Sequence, residues 1–299
     1  MDNNLIELAA RRLEQLRQAG VDLPPPIIAP ETATARPRMA GKPAATAPSR
    51  MVELDLDRLA VAGFATPTAT RSRIADQFRL IKRPLITNAI SKGNGTNRNL
   101  VMVTSALPGE GKTFTAINLA MSIATELDHT VLLVDADVTQ PSIMRELGLP
   151  AGPGLLDLVQ DESADLTDAL LRTNIDKLSL LPSGTPHARA TELLASEAMS
   201  RLLKQIANRY SDRIVVFDSP PLLLATESRV LASHMGQVVM VVRAETTRQA
   251  DVMQALSTIE ACPIKVMLLN QARVDRAENY DYGYGSASAH ASSYAHASA

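Results

Sequence analysis

The sequence predicts an α/β fold with a doubly wound, mostly parallel sheet and helices on both faces. Three observations predict it. Short apolar runs stand at 99–104, 131–135, 178–181, 214–218, 238–242 and 264–269. Stretches with helical apolar spacing fall between them, near 112–127, 154–160, 191–209, 226–234 and 246–260. Two of the runs end in acids, Val134-Asp135-Ala136-Asp137 and Phe217-Asp218-Ser219. Strands that are apolar throughout are buried on both faces, which is the condition of a parallel sheet. Alternation with helices supplies the cover for those faces, and ligands then gather at the carboxyl ends of the strands.

The segment from Leu100 to Thr113, LVMVTSALPGEGKT, organises the rest. A buried strand at Val101–Thr104 runs into a loop through Ser105, Ala106, Leu107, Pro108, Gly109, Glu110 and Gly111. Lys112 and Thr113 follow, and a helical pattern begins at once. Strand, glycine-bearing loop, Lys-Thr and helix make the phosphate-binding loop of P-loop nucleotide triphosphatases. A loop that enters a helix N-terminus offers backbone N–H groups where the helix dipole also favours negative charge. Gly109 and Gly111 allow close approach and left-handed backbone. Lys112 offers a charge to the β- and γ-phosphates, and the Thr113 hydroxyl is a ligand for Mg²⁺. Ala106 stands where the first glycine of G-x-x-x-x-G-K-S/T would fall. Asp218, closing an apolar strand, is the second signature of such proteins and places a carboxylate beside Mg²⁺.

Bulk properties bound the function. A chain of 299 residues with 45% hydrophobic content accommodates one sizeable α/β domain plus extensions. A net charge of −2 and the lack of a basic stripe argue against nucleic-acid binding. The single cysteine, Cys262, excludes an internal disulfide, fits a reducing compartment and reads as a small core residue. No apolar run reaches about 18 residues and no secretory h-region opens the chain, so a soluble protein that docks on a membrane partner is expected.

Residues 1–20 read as an amphipathic helix (over 2–19). Asp2 or Asn3 is its cap, Leu5, Ile6, Ala9, Leu13 and Leu16 are its apolar stripe, and Gly20 is its end. Residues 21–50, rich in proline, form an extended linker. Order resumes at Val52–Leu56, whose alternation fits a short strand, and a domain over 51–270 follows. Within it, residues 71–90 hold a helix. Ile74, Phe78, Ile81 and Leu85 lie on one face, and Arg73, Asp76, Arg79, Lys82 and Arg83 on a charged one. Residues 271–299 lose apolar periodicity and read as a disordered tail. That tail carries Tyr280, Tyr282, Tyr284 and Tyr294, leaving only Tyr210 elsewhere among the five tyrosines of the chain. Such clustering in a segment able to reach an active site points to a substrate.

The loop 105–113, the VLLVDAD and VVFDSPP strand ends and the tyrosine-bearing tail together resemble the bacterial protein-tyrosine kinases (BY-kinases), over about residues 71–299. These are P-loop autokinases of polysaccharide export. The IADQFRLIKRPL segment and the N-terminal helix are most similar to the exosortase-associated cytoplasmic branch, which works with a separate transmembrane chain-length-determinant protein. The resemblance implies ATP and Mg²⁺ as cofactors. Pro108, Gly109, Glu110, Gly111, Lys112, Thr113 and Phe114 would cradle the phosphates, and Asn270 would read adenine. Lys112, Asp135 and Asp137 would be catalytic, with Asp135 as the base toward tyrosine. Thr113, Asp137 and Asp218 would serve the metal. Asp76, Arg79 and Lys82 match the family's Glu-x-x-Arg-x-x-Arg oligomerisation motif, on a helix at about 72–90. The family's arginines after Asp-x-Asp are replaced here by Thr139-Gln140.

The implied activity is autophosphorylation in trans on Tyr280, Tyr282, Tyr284 and Tyr294, within a homo-oligomer such as a ring, at the inner face of the membrane. A tyrosine phosphatase would be the counterpart. Each phosphate adds roughly −1.5 to −2 charges, which would expel the tail from an acidic site and loosen the ring. Two alternatives stand beside this reading. A partition or septum-site ATPase switch shares the sheet, but its signature lysine is replaced here by Leu107. A non-catalytic ATP-binding scaffold is compatible with Thr139-Gln140.

Overall fold

A computed structural model describes residues 50–68, 72–91, 97–209 and 212–273. The expected helix over 2–19, nearly all of the linker, and the tail with Tyr280, Tyr282, Tyr284 and Tyr294 lie outside the described residues, as does Tyr210.

The strands are β1 (Arg50–Val52), β2 (Leu100–Ser105), β3 (Thr130–Asp135), β4 (Leu171–Thr173), β5 (Leu178–Leu181), β6 (Arg213–Asp218), β7 (Gln237–Arg243) and β8 (Ile264–Asn270). They form one eight-stranded sheet in the order β1-β4-β5-β3-β6-β2-β7-β8. Every pairing is parallel except β4 with β5. The helices in chain order begin with α1 (Leu56–Val61), α2 (Arg73–Ile90), α3 (Lys112–Ala124), α4 (Ile143–Leu147) and α5 (Leu155–Gln160). They continue with α6 (Leu166–Ala169), α7 (Ala190–Leu194), α8 (Glu197–Arg209), α9 (Thr226–Ala232) and α10 (Gln249–Ser257).

The period of two along each strand divides the core into two layers. Leu100 and Met102 of β2, Leu132 and Val134 of β3, Val215 and Phe217 of β6, and Val238 and Met240 of β7 pack with helices α5 to α10. Their alternates Val101, Val103, Val131, Leu133, Ile214, Val216, Val239 and Val241 pack with α1 to α4. The apolar stripe of α2, from Ile74 to Leu85, lies in this second layer. Every residue of α3 from Thr115 to Ala124 is buried. The helix that carries Lys112 and Thr113 is therefore clamped inside the molecule rather than laid on its surface.

Local chemistry explains where the sequence expectations moved. The expected strand at Val52–Leu56 is instead β1, ending at Val52, followed by α1. The Asp55 carboxylate accepts the Arg58 N–H at 2.9 Å and caps that helix, whose Leu59 is fully buried. The helix expected over 191–209 is broken. Ser196 donates its hydroxyl to the Leu193 carbonyl at 2.7 Å and accepts the Met199 N–H at 3.1 Å, closing α7 and capping α8 with one side chain. At α2, Ser72 accepts the Ala75 N–H, so the helix starts at Arg73.

Lys82 corrects the expectation of a charged outer face. Its side chain turns inward and the residue is 3% exposed. The ammonium donates to the Ser122 carbonyl at 2.6 Å and the Thr125 hydroxyl at 3.0 Å, and pairs with Glu126 at 2.7 Å. It thus caps the C-terminal end of α3, where a cation meets unsatisfied carbonyls and the negative end of the dipole. Of the three residues expected to mediate self-association, Asp76 and Arg79 remain at the surface as an ion pair, and Lys82 serves the protomer's own interior.

The Lys82→Met variant is expected to lose about 1–3 kcal/mol of stability, the range for charge-assisted hydrogen bonds removed from a buried partner. Chiefly through the hydrogen bond from Lys82, the Glu126 carboxyl is held below the usual glutamate range. A lowered pKa contributes stability that is present above the unfolded value and lost as pH falls. The gap between wild type and variant in urea titrations should therefore shrink in acid.

Candidate active site

The loop between β2 and α3 is shaped by its glycines. Gly111 has φ +92° and forms the N-cap of α3, and Gly109 has φ +79°. A β-carbon on Gly111 would sit 2.1 Å from the Asn270 Nδ2. Ala106, in place of the first motif glycine, is fully buried in the core and is not among the residues with positive φ. An alanine is tolerated there because the backbone makes no demand for left-handed geometry. Helix geometry leaves the N–H groups of Lys112, Thr113 and Phe114 without intrahelical acceptors, at the positive end of a 13-residue helix. This is an anion site by construction.

Three carboxylates face this helix end. Asp135 and Asp218 are register partners at the carboxyl ends of adjacent strands β3 and β6, and both are fully buried. Asp135 Oδ2 accepts the N–H groups of Ser142 and Ile143 at 3.1 and 3.0 Å, capping α4, and its Oδ1 has no partner. Asp137 accepts the Thr139 hydroxyl at 3.0 Å and the Gln140 N–H at 3.1 Å on Oδ1. Its Oδ2 lies 3.4 Å from the Lys112 ammonium. Thr139 thus occupies the position of the usual arginine as a hydroxyl that orients Asp137. Neither oxygen of Asp218 makes a well-formed hydrogen bond.

The remaining expected residues fall into two groups. Pro108 and Gly109 are exposed at the loop apex, where backbone is open to a ligand. The Phe114 ring packs on Phe64 at 5.2 Å between centroids, so only its main chain serves the anion site. Asn270, the last residue of β8, donates to the Glu110 carbonyl at 2.9 Å and so adjoins the loop directly. A cavity of about 680 Å³ between α2 and β8 is bordered there by Phe114 and Asn270. Two participants, Ser142 and Thr247, are absent from the sequence reading, and Glu110 is there only as part of the loop. The Ser142 hydroxyl meets the Thr113 hydroxyl at 3.1 Å, and the Glu110 carboxylate is hydrogen-bonded to the Leu107 N–H and the Thr247 hydroxyl. No local pattern marks Ser142 or Thr247, which reach the loop across large sequence separations.

Burial dominates the electrostatics. It raises the Asp218 carboxyl to about 8, aided by Asp135 and Asp137 and opposed by the neighbouring Thr113 hydroxyl and by Lys112. It raises Asp135 to about 6, with Asp137 adding to the rise and the Ile143 and Ser142 N–H groups opposing it. Buried carboxylate oxygens without donors fit a divalent cation. Among the described residues no group of three His, Cys, Asp or Glu forms a cage by itself. A Mg²⁺ ion takes one or two carboxylates and completes its shell with water and phosphate oxygens.

A carboxyl whose folded pKa lies above its unfolded value destabilises the fold once ionised. Metal-free protein is therefore expected to lose thermal stability as pH rises from about 4 to about 8, and Asp218→Asn should flatten that slope. Melting curves in chelator across this range check it; a flat wild-type profile would contradict the buried, unpaired carboxylate.

The chain matches a family model described as an AAA domain over residues 99–270. It is 30% identical over 220 residues to the tyrosine-protein kinase YwqD of Bacillus subtilis, covering 73% of this chain and 89% of that protein. It is 31% identical over 189 residues to the tyrosine-protein kinase wzc of Salmonella typhimurium, covering 62% of this chain but only 26% of the longer relative. Among solved structures, the chimerical protein CapA2B2 superposes with a TM-score of 0.59 at 26% identity, over 73% of this chain and 92% of that one. With the phosphate loop at the head of α3 and three aspartates facing it from β6, β3 and the loop just after β3, the chain belongs to the bacterial tyrosine-kinase (BY-kinase) family of P-loop proteins.

Proposed function

We propose that this chain is an ATP-dependent protein-tyrosine autokinase that phosphorylates Tyr280, Tyr282, Tyr284 and Tyr294 of a neighbouring copy. The observation that carries the reading is the convergence of Lys112 and Thr113 with Asp135, Asp137 and Asp218, two of which keep buried oxygens without partners. Kinship with proteins named as tyrosine kinases supports the choice of acceptor.

In this reading the N–H groups at the head of α3 and the Lys112 ammonium bind the phosphates of ATP. Thr113, Asp137 and Asp218 hold Mg²⁺, which supplies charge neutralisation on those phosphates. Breaking the Lys112–Asp137 contact frees each for its ligand. Asn270 borders the base, next to the cavity between α2 and β8. Asp135 Oδ1, unpartnered and raised to about 6, takes the phenolic proton as the tyrosine oxygen bonds to the γ-phosphorus and the bond from that phosphorus to the β–γ bridging oxygen breaks, with ADP as the leaving group. A base poised near working pH suits a phenol of pKa about 10. Catalysis of this kind is mainly positioning and charge stabilisation.

No helix among the described residues is long and apolar enough to cross a membrane. The proposed setting is the inner face of the cell membrane, reached through a transmembrane chain-length-determinant protein of exopolysaccharide export. Self-association uses the exposed Asp76 and Arg79 of α2, and a tyrosine phosphatase resets the tail.

The test is intact-mass spectrometry and tail mapping of the purified chain with ATP and Mg²⁺. Phosphate is expected on the tail tyrosines, reduced about 100-fold or more in Lys112→Ala. Isotope-labelled Lys112→Ala mixed with wild type should gain tail phosphate, which only transfer in trans provides. ATP hydrolysis without phosphotyrosine, with the membrane partner's cytoplasmic segment present, would instead support an ATPase switch.

A further inference from the structure

A glutamate inside a phosphate-binding loop has the wrong sign of charge for its surroundings, and the structure shows how this one is disarmed. Glu110 is 3% exposed. Its Oε2 accepts the Leu107 N–H at 2.7 Å, within the loop. Its Oε1 accepts the Thr247 hydroxyl in a short hydrogen bond and lies 3.5 Å from the Arg243 N. Its own carbonyl accepts the Asn270 amide at 2.9 Å. Arg243 ends β7 and Asn270 ends β8, and the two are register partners. The Thr247 N–H returns to the Arg243 carbonyl at 3.1 Å, which folds the turn after β7 back toward the loop. One residue is therefore gripped from the ends of two neighbouring strands, and both carboxylate oxygens are occupied by donors.

We propose that Glu110 is a positioning residue: its carboxylate bridges the Leu107 N–H to the Thr247 hydroxyl and so holds the phosphate loop open, in its binding shape, before nucleotide arrives. The inference rests on the reading that this loop binds ATP. Without the bridge the loop's exposed apex, Pro108 and Gly109, is free to collapse onto its own N–H groups, and binding must first reverse that collapse. A carboxylate suits the site because the Leu107 N–H and the Arg243 N–H both require acceptors. A glutamine accepts the Leu107 N–H on its oxygen and can donate to the Thr247 hydroxyl, but its NH2 offers nothing to the Arg243 N–H, so it restores the bridge only in part. The bridge also links the loop to the turn that leads into α10, so substitutions at Thr247 reach the phosphates without touching them.

Equilibrium binding of a fluorescent ATP analogue with Mg²⁺ to the full chain tests this, with melting temperatures recorded for every variant. Wild type should bind and Lys112→Ala should not; failure of wild type to bind would refute the nucleotide reading itself. Given binding, Glu110→Ala is expected to raise Kd roughly tenfold or more, equivalent to about 1.4 kcal/mol per tenfold. Glu110→Gln should fall between it and wild type, and Thr247→Val should weaken binding in the same direction. The double variant Glu110→Ala/Thr247→Val should bind no worse than Glu110→Ala, because both remove one shared interaction. Phosphorylation at saturating ATP should keep its rate, so KM moves and kcat does not. Wild-type affinity in Glu110→Ala, or effects of Glu110 and Thr247 that multiply independently, would overturn the proposal. If Glu110→Ala does not fold, Glu110→Gln and Thr247→Val decide. Weakened binding at unchanged melting temperature in both sustains the proposal, and unchanged binding in both overturns it.

Discussion

The constraint on which the rest of the structure depends is the burial of like charges at one edge of the sheet. Asp135 and Asp218 sit side by side on β3 and β6 with no solvent to screen them, and Asp137 stands two residues further on. Such an arrangement is costly in isolation, because a buried carboxylate without donors forfeits its hydration. It persists because the positive end of α3 and the Lys112 ammonium face the same space, and because Ser142 and Ile143 lend N–H groups to one of the acids. Buried acids thus stand opposite a helix N-terminus and an ammonium, the arrangement on which the proposed ATP and Mg²⁺ site rests.

The two-sided core makes this edge rigid enough to use. Strands β2, β3, β6 and β7 are buried on both faces, so their carboxyl ends hold fixed positions and project acids and loops in one direction. The helix α3 is enclosed on all sides from Thr115 onward, and Lys82 of α2 ties its far end. A phosphate-binding helix that cannot slide keeps its N-terminus in register with the aspartates. The short elements differ in place: β1 and β4 extend the sheet at one edge, while α4 begins beside the site, where Asp135 caps it.

Much of the fold was legible before any coordinates. The apolar runs that became β2, β3, β5, β6, β7 and β8 announce themselves by composition, and the glycines, Lys112 and Thr113 by spacing. The three acids were legible as strand ends. What was not legible depended on contacts across the chain. The charge on Lys82 gave every reason to place it outside, until the carbonyls closing α3 supplied a partner 40 residues away. Ser196 breaks a helix that periodicity alone continues, because its side chain serves both pieces. Val52–Leu56 alternates like a strand, but a cap at Asp55 and a buried Leu59 favoured a helix. Ser142 and Thr247 carry no pattern at all.

The sequence by itself determined the periodicities, the turn chemistry of the loop and the kinds of group available at the strand ends, because these follow from neighbours along the chain. Only the tertiary structure decided which oxygen of each aspartate is capped and which is left free. It alone brought the Thr113 hydroxyl to Ser142 and turned the Glu110 carboxylate toward Thr247. The reason is physical: hydrogen bonds and desolvation act at a few ångströms in space, and residues 29 and 137 positions apart meet only after the sheet has set their distances.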